Sequence, residues 1–389
     1  MNRPAPSLVA TLLGGIAAVL IVHGIGRFAY TPLLPLMRED GLSIAQAGWL
    51  ASANYVGYLL GALFTVWHRG NRVRWLQGGI VVSIATTLAM GVIHAPSLWA
   101  LIRFVSGVSN GIVFVYASNL VFSRLAKEER GALGGLLYAG VGLGMSVSGL
   151  LVQGIDALGW RWQWGWLLAG AICIAAVVPA WRIRECSVTA VAGGAGKPSG
   201  RLFWVVGGYG CAGLGYIVSA TFLPAIVRDT PGLASFAPMS WIIVGLAATP
   251  SSLFWSWLAH RIGELPALLW AYGLQAIGVM APIWLPGMLG AASGALLLGS
   301  TFLGIVTMAM ALARRHDPHG GSRTVGLMTS AYGVAQIIGP LLTAALSKHS
   351  DGMTLALEIA TASLVVGAAL LIVSALESQL AAQPQAGKP

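Results

Sequence analysis

Charge is scarce in this chain. Only 9% of its 389 residues are Asp, Glu, Lys or Arg, while 57% are hydrophobic; a soluble globular domain carries about 25% charged residues. So little charge cannot cover a water-facing surface of this size, which excludes a soluble fold and any large extramembrane domain. Acids are scarcer than bases, 12 against 22, for a net charge of +10. The bases are scattered between hydrophobic runs rather than gathered in one stripe, so a nucleic-acid partner is excluded. Cysteine is nearly absent. Cys173, Cys186 and Cys211 are odd in number and lack C-x-x-C spacing, which argues against a disulfide framework or a structural zinc site. The sequence shows no strand-period alternation, no Gly-Lys-Ser/Thr phosphate loop, no zinc-ligand cluster and no paired carboxylates. Gly208-Tyr-Gly210-Cys-Ala-Gly213 has dinucleotide-loop spacing, but no strand precedes it. The expectation is a protein that is not an enzyme and uses no metal or cofactor.

Long apolar runs are what the chain does have, with a mean hydropathy of +0.79. A membrane-spanning helix needs about 20 apolar residues. Twelve spans are predicted over 8–37, 46–67, 75–93, 97–121, 131–154, 162–181, 202–227, 239–258, 265–285, 287–312, 323–346 and 354–376. Backbone polar groups in lipid demand helices or a closed barrel, and without strand periodicity the fold is all-α. The first apolar run continues through Leu36 with no small-residue cleavage site, so it reads as a retained span rather than a signal peptide. With both termini in the cytoplasm, sixteen of the Lys and Arg outside the spans fall on the inner side. Arg38, Arg161, Arg228 and Lys348 fall on the outer side. That bias is the positive-inside pattern and favours an even number of spans. Arg27 and Arg103 remain, both within spans.

The longest polar interruption, residues 182–201, divides the chain into six spans and six: an N-terminal bundle over 1–181 and a C-terminal bundle over 202–389. The halves are similar. Gly24-Ile-Gly26 with Leu34-Pro35 matches Gly213-Leu-Gly215 with Leu223-Pro224 at an offset of 189. His68-Arg69 matches His260-Arg261 at 192, and Gly111-Ile-Val113 matches Gly304-Ile-Val306 at 193. Two parallel six-helix repeats point to a secondary transporter with its site near the bilayer midplane.

On these residues the chain resembles the major facilitator superfamily. The segments 24–63 (GIGRFAYTPLLPLMREDGLSIAQAGWLASANYVGYLLGAL) and 213–228 (GLGYIVSATFLPAIVR) are similar to its YbfB/YjiJ-type branch of bacterial permeases. The resemblance implies twelve helices in two pseudo-symmetric bundles that alternate access, with spans 1, 4, 7 and 10 supplying much of the lining. It also implies that the loops at His68-Arg69 and His260-Arg261 take part in gating, although a His stands in both where relatives carry Asp. Arg103-x-x-x-Gly107-x-x-x-Gly111 is similar to a superfamily pattern whose Arg is associated with proton coupling. Gly131, Gly140, Gly144 and Gly149 match an antiporter motif, but Met145 replaces its Pro and Ser148 one Gly.

Fourfold spacing puts His23 and Arg27 on one face of span 1, with Tyr30 close by. Cations inside a span cost roughly 2.5–3.5 kcal/mol at the centre and mark function. With no Asp or Glu well inside spans 1–11, an anionic solute would supply the missing counter-charge. Arg27, Tyr30, Asn54, Tyr58, Asn110, Tyr216, Tyr332 and Gln336 are the expected substrate-binding residues. His23, Arg103, His68, Arg69, His260 and Arg261 are those expected in proton coupling or gating. The expected function is secondary transport of a small organic anion, coupled to protons or exchange, by a monomer in a bacterial inner membrane. The alternatives are a proton-antiporting exporter of amphipathic compounds and a membrane sensor or enzyme that does not transport.

Overall fold

A computed structural model of the chain describes residues 7–68, 70–185, 200–317 and 321–382. Within them, twelve helical segments are long and apolar enough to cross a membrane, one for each expected span. The first crossing is made of α1 (Leu8–Val19), a wider π-helical segment Leu20–Ile25, a turn and α2 (Tyr30–Glu39). There follow α3 (Ile44–Trp67), α4 (Arg72–Val92), α5 (Pro96–Lys127), α6 (Ala139–Ala157, led in by a 3₁₀ segment Gly131–Tyr138) and α7 (Trp162–Ala180). After residues 186–199 come α8 (Gly200–Asp229), α9 (Ala237–Ile262), α10 (Glu264–Trp284), α11 (Gly287–His316), α12 (Gly321–Leu346) and α13 (Gly352–Ala382).

Apolar side chains cover the outside of the protein as well as its interior. Trp49, Trp67, Val81, Leu150, Leu246, Trp270 and Val365 are all exposed, which suits contact with hydrocarbon and would be costly in water. Polar side chains such as Asn54, Ser83, Asn110, Thr221 and Gln275 are buried instead. Helices α1–α7 pack largely among themselves, as do α8–α13; the two groups meet along α3–α12, α6–α9 and α2–α8.

Helix pairs approach closely where glycines remove the Cβ. A Cβ on Gly107 would run into the Asn54 carbonyl and one on Gly111 into the Tyr58 carbonyl, so the fourfold glycines of α5 seat it directly against α3. Gly24 and Gly144 meet in the same way: a Cβ on Gly24 would lie 2.6 Å from the Cα of Gly144.

The first crossing departs from the sequence expectation of one continuous helix over 8–37. Pro32 and Pro35 cannot donate to the carbonyls four residues earlier, and their rings crowd those carbonyls. Gly24 and Gly26 stand just upstream, and the chain widens through a π-helical turn before it restarts at Tyr30. Such bulges and prolines are the usual causes of a sharp bend. In the second half, α8 runs unbroken through Gly213, Gly215 and Pro224. At the offset of 189 the counterpart of Pro32 is Thr221, whose N–H is intact. Pro32, in the first turn of α2, is therefore one difference between a broken helix and a continuous one in two otherwise similar segments.

Candidate functional site

The break in the first crossing leaves polar backbone in the membrane interior, where each carbonyl needs an internal donor. Arg103, on α5, supplies them. Its Nη1 donates to the Gly26 carbonyl at 3.0 Å and its Nη2 to the Arg27 carbonyl at 3.2 Å. The guanidinium lies 4.8 Å from the Tyr30 ring centroid and 5.9 Å from that of Trp166, within cation–π range. Arg103 is 2% exposed, so it points into the bundle and does not reach toward headgroups. Its counterpart at the offset of 193 is Leu296, an exposed residue; the unbroken α8 has no freed carbonyls to clamp. Replacing Arg103 by Met is expected to destabilise the protein by about 2–6 kcal/mol, since each of the two carbonyls left unpaired costs roughly 1–3 kcal/mol. Thermal unfolding of the purified protein measures this, and an unchanged midpoint would remove the clamp role.

The same break aims Arg27 at a small cavity of about 110 Å³ bounded by His23, Phe28, Tyr58, Phe114, Tyr138, Tyr209, Tyr216, Phe302, Tyr332 and Gln336, among others. Arg27 is 3% exposed, and its Nε and Nη2 have no hydrogen-bond partner. It is held by rings: 4.5 Å to the Tyr55 centroid, 4.8 Å to Tyr58 and 5.4 Å to Phe28. His23 packs on Phe114 at 4.3 Å and edge-on to Tyr58 at 5.2 Å, and its Nδ1 is unpartnered. Across the cavity, Tyr209, Tyr332, Tyr216 and Phe302 form a ladder of near-parallel rings, with successive centroids 4.3, 5.6 and 5.5 Å apart. Gln336 Nε2 donates to the Tyr216 hydroxyl, leaving its Oε1 without a partner.

This box opens into a funnel of about 920 Å³, with Tyr58, Phe114, Tyr138, Met310 and Thr329 at their common boundary. The funnel runs between the ends of α5, α9 and α11 and the starts of the α6 and α12 crossings, past Ala126, His260 and Arg314. Among the described residues no Asp or Glu lines either space.

The opposite end is shut. Arg38 at the end of α2 pairs with Asp229 at the end of α8 at 2.6 Å, while Arg228 pairs with Glu39 at 2.6 Å and with Asp156 of α6 at 2.9 Å. Arg38-Glu39 and Arg228-Asp229 are repeat counterparts at an offset of 190. Each arginine therefore pairs with the acid of the other copy, a reciprocal exchange across the pseudo-symmetry axis. Below it, the Thr31 hydroxyl donates to the Ala220 carbonyl at 2.8 Å, and Tyr55 and Thr221 share a hydroxyl bond of 3.1 Å.

The structure gathers five of the expected substrate-binding residues at one cavity: Arg27, Tyr58, Tyr216, Tyr332 and Gln336. At the offset of 189, Arg27 and Tyr216 occupy equivalent positions in the two repeats. Tyr30, Asn54 and Asn110 do not line it. The bend turns Tyr30 away from Arg27, and its hydroxyl donates to the Ala47 carbonyl at 3.0 Å. Asn54 donates to the Arg103 carbonyl at 2.9 Å. Asn110 accepts from Ser83 at 3.0 Å; both asparagines are buried in helix interfaces.

Of the residues expected in coupling or gating, His23 lines the box and His260 the funnel. His68 bonds the Tyr116 hydroxyl at 2.7 Å, and Arg261 lies over the Trp257 ring at 5.0 Å. Arg69 lies outside the described residues. The sequence reading missed Phe28, Phe114, Tyr138, Tyr209 and Phe302, because an aromatic that lines a cavity has the same apolar signature as one that packs a core.

A family model described as "Uncharacterised MFS-type transporter YbfB" matches residues 19–372 of the chain. Two similar proteins from Mycobacterium tuberculosis are the "Uncharacterized MFS-type transporter MT1926" of strain CDC 1551 / Oshkosh and the "Uncharacterized MFS-type transporter Rv1877" of strain ATCC 25618 / H37Rv. Each is 27% identical over 338 residues, covering 82% of this chain and 44% of the relative. The human "Solute carrier family 2, facilitated glucose transporter member 10" is 30% identical over 177 residues, 42% of this chain and 30% of its own. The chain thus spans less than half the length of the curated relatives it matches.

Proposed function

We propose a transport mechanism from one premise: the chain belongs to the YbfB-type family of major-facilitator transporters. It carries a small organic anion across the bilayer by alternating access, taking the solute into the aromatic box beside Arg27. One observation supports this most directly. Arg27, a buried guanidinium whose Nε and Nη2 are unpartnered, is among the residues lining a cavity without carboxylates. A buried cation left unpaired is costly, and a bound anion removes that cost.

The halves 1–181 and 202–389, joined through 182–201, rock about this site. In the conformation described, the funnel is open at the face where α5, α9 and α11 end, and the Arg38–Asp229 and Arg228–Glu39 pairs hold the other face shut. The positive-inside pattern of the basic residues supports an open face in the cytoplasm of a bacterial cell, with both termini on that side. A reporter inserted at Gly193, which lies outside the described residues, is expected to report cytoplasm; an external signal would invert the assignment.

The direct test is solute uptake by the purified protein in proteoliposomes. Organic carboxylates are expected to accumulate under an imposed proton gradient or to exchange against internal carboxylate. A protonophore should stop gradient-driven accumulation and spare exchange. Movement of cationic amphiphiles with no movement of any carboxylate would overturn the reading in favour of an exporter.

A further inference from the structure

From the shape and chemistry of the box beside Arg27, we infer that the transported anion is a planar, single-ring aromatic monocarboxylate. This inference rests on the anion reading above and narrows it. The charge comes first. Arg27 is the one Lys or Arg among the residues lining the box, its Nε and Nη2 are unpartnered, and no Asp or Glu lines the space. One guanidinium balances one carboxylate, in the forked geometry that suits the pair. A dianion would bring a second negative charge among aromatic rings with no cation to meet it.

The remaining walls select the body of the guest. Tyr209, Tyr332, Tyr216 and Phe302 are stacked with interplanar angles of 17°, 16° and 2°, while Phe28 meets Phe302 at 72° and centroids 6.4 Å apart. A flat ring entering here finds offset-stacked and edge-to-face partners, the arrangements aromatic pairs prefer. A saturated ring of the same size gains dispersion alone.

Volume limits the ring count. The box is about 110 Å³, and an engineered apolar cavity of roughly 150 Å³ accommodates benzene. One ring with its carboxylate at Arg27 fills the box and its mouth, whereas a fused second ring must stand out in the funnel.

The test is calorimetric binding to the full-length protein in lipid nanodiscs, using benzoate, cyclohexanecarboxylate, benzamide and benzylamine as probes. Benzoate is expected to bind. Cyclohexanecarboxylate, equal in charge and carbon count but not planar, should bind about tenfold more weakly, the upper range of an aromatic-pair increment. Benzamide, which keeps the ring and loses the charge, should bind at least about thirtyfold more weakly. Tyr216→Leu should weaken benzoate more than it weakens cyclohexanecarboxylate, so that the roughly tenfold difference between the two probes closes; Phe302→Leu makes the same test should Tyr216→Leu fail to fold.

Equal binding of the two carboxylates would overturn the aromatic inference and leave the anion reading standing. Tighter binding of benzamide or benzylamine than of either carboxylate would overturn both. An absence of benzoate binding at millimolar concentration, with cyclohexanecarboxylate bound, would again overturn the aromatic inference alone.

Discussion

The Arg27→Gln protein is expected to lose at least about thirtyfold in affinity for a carboxylate substrate, and when empty to unfold at a higher temperature than its parent. The two effects share one cause. Removing one member of a buried, hydrogen-bonded charge pair costs about 2–5 kcal/mol of binding, and each 1.4 kcal/mol is roughly tenfold. In the empty protein the pair does not exist. Arg27 sits 3% exposed with two nitrogens unpartnered, and the desolvation of an uncompensated cation costs several kcal/mol. The rings of Tyr55 and Tyr58, at 4.5 and 4.8 Å, offset part of this, up to about 2 kcal/mol for a desolvated contact. Glutamine removes the charge and keeps a donor, so a net gain of about 1–2 kcal/mol in the empty state follows from the same terms. Isothermal titration with a carboxylate and thermal unfolding without it measure the two halves. Retained affinity together with a lower unfolding temperature would make Arg27 a packing residue. The sign of the stability change sets Arg27 apart from Arg103, whose removal should destabilise because its donors hold the Gly26 and Arg27 carbonyls.

Reversing one charge at the closed end should open it. In Asp229→Arg, the new cation faces Arg38 beside Arg228, so attraction becomes repulsion at a site where Arg38 and Arg228 are mostly shielded from solvent. An exposed ion pair is worth about 0.2–1 kcal/mol. Asp229 and Glu39 are themselves exposed, but their arginine partners are shielded, and Arg228 also holds Asp156 in a part-buried pair. Losing one pair and gaining a repulsion is expected to shift the balance toward the opposite conformation by about tenfold or more, equivalent to roughly 1.4 kcal/mol. The double reversal Arg38→Asp with Asp229→Arg restores an opposite-charge pair and should return the parent behaviour. A cysteine at Thr31, buried just beneath the ion pairs, reports the change. With Cys173, Cys186 and Cys211 replaced, an impermeant thiol reagent applied at the α2–α8 end should label the single-reversal protein about tenfold faster than the parent or the double. Equal rates in all three would reduce the exchange to surface decoration.

The fold was legible in the sequence to the extent that the bilayer dictates it. A span must be a helix of about 20 apolar residues, so each of the twelve runs could be found without reference to its neighbours. The repeat was legible for a similar reason: Gly213, Gly215, Leu223 and Pro224 preserve the spacing of Gly24, Gly26, Leu34 and Pro35. The bend was not. Pro32 and Pro35 are plain in the sequence, yet a proline in a membrane helix is tolerated when neighbours satisfy the freed carbonyls. The carbonyls of Gly26 and Arg27 that the break leaves over are met by Arg103, 76 residues beyond Arg27, a partner that the span's own residues do not reveal. The site was half legible. Arg27 stood out because a cation in a span needs a reason, whereas Phe28, Phe114 and Phe302 carry no polar atom that demands one. Tyr30 and Asn54 were expected at the site because their polar atoms need partners, but backbone carbonyls of adjoining helices meet that need.

The scarcity of charge settled the medium, the number of crossings and the rank of Arg27 and Arg103 as the two cations that topology leaves unexplained. Their different employment was decided only in three dimensions. Both are buried guanidiniums, but the bend leaves carbonyls within reach of one and an aromatic cavity in front of the other. The same holds for Arg38, Glu39, Arg228 and Asp229, which in sequence are ordinary charges at the ends of spans. Their reciprocal pairing exists because folding brings the ends of α2 and α8 together, and a charge acquires its partner only from what the tertiary structure places beside it.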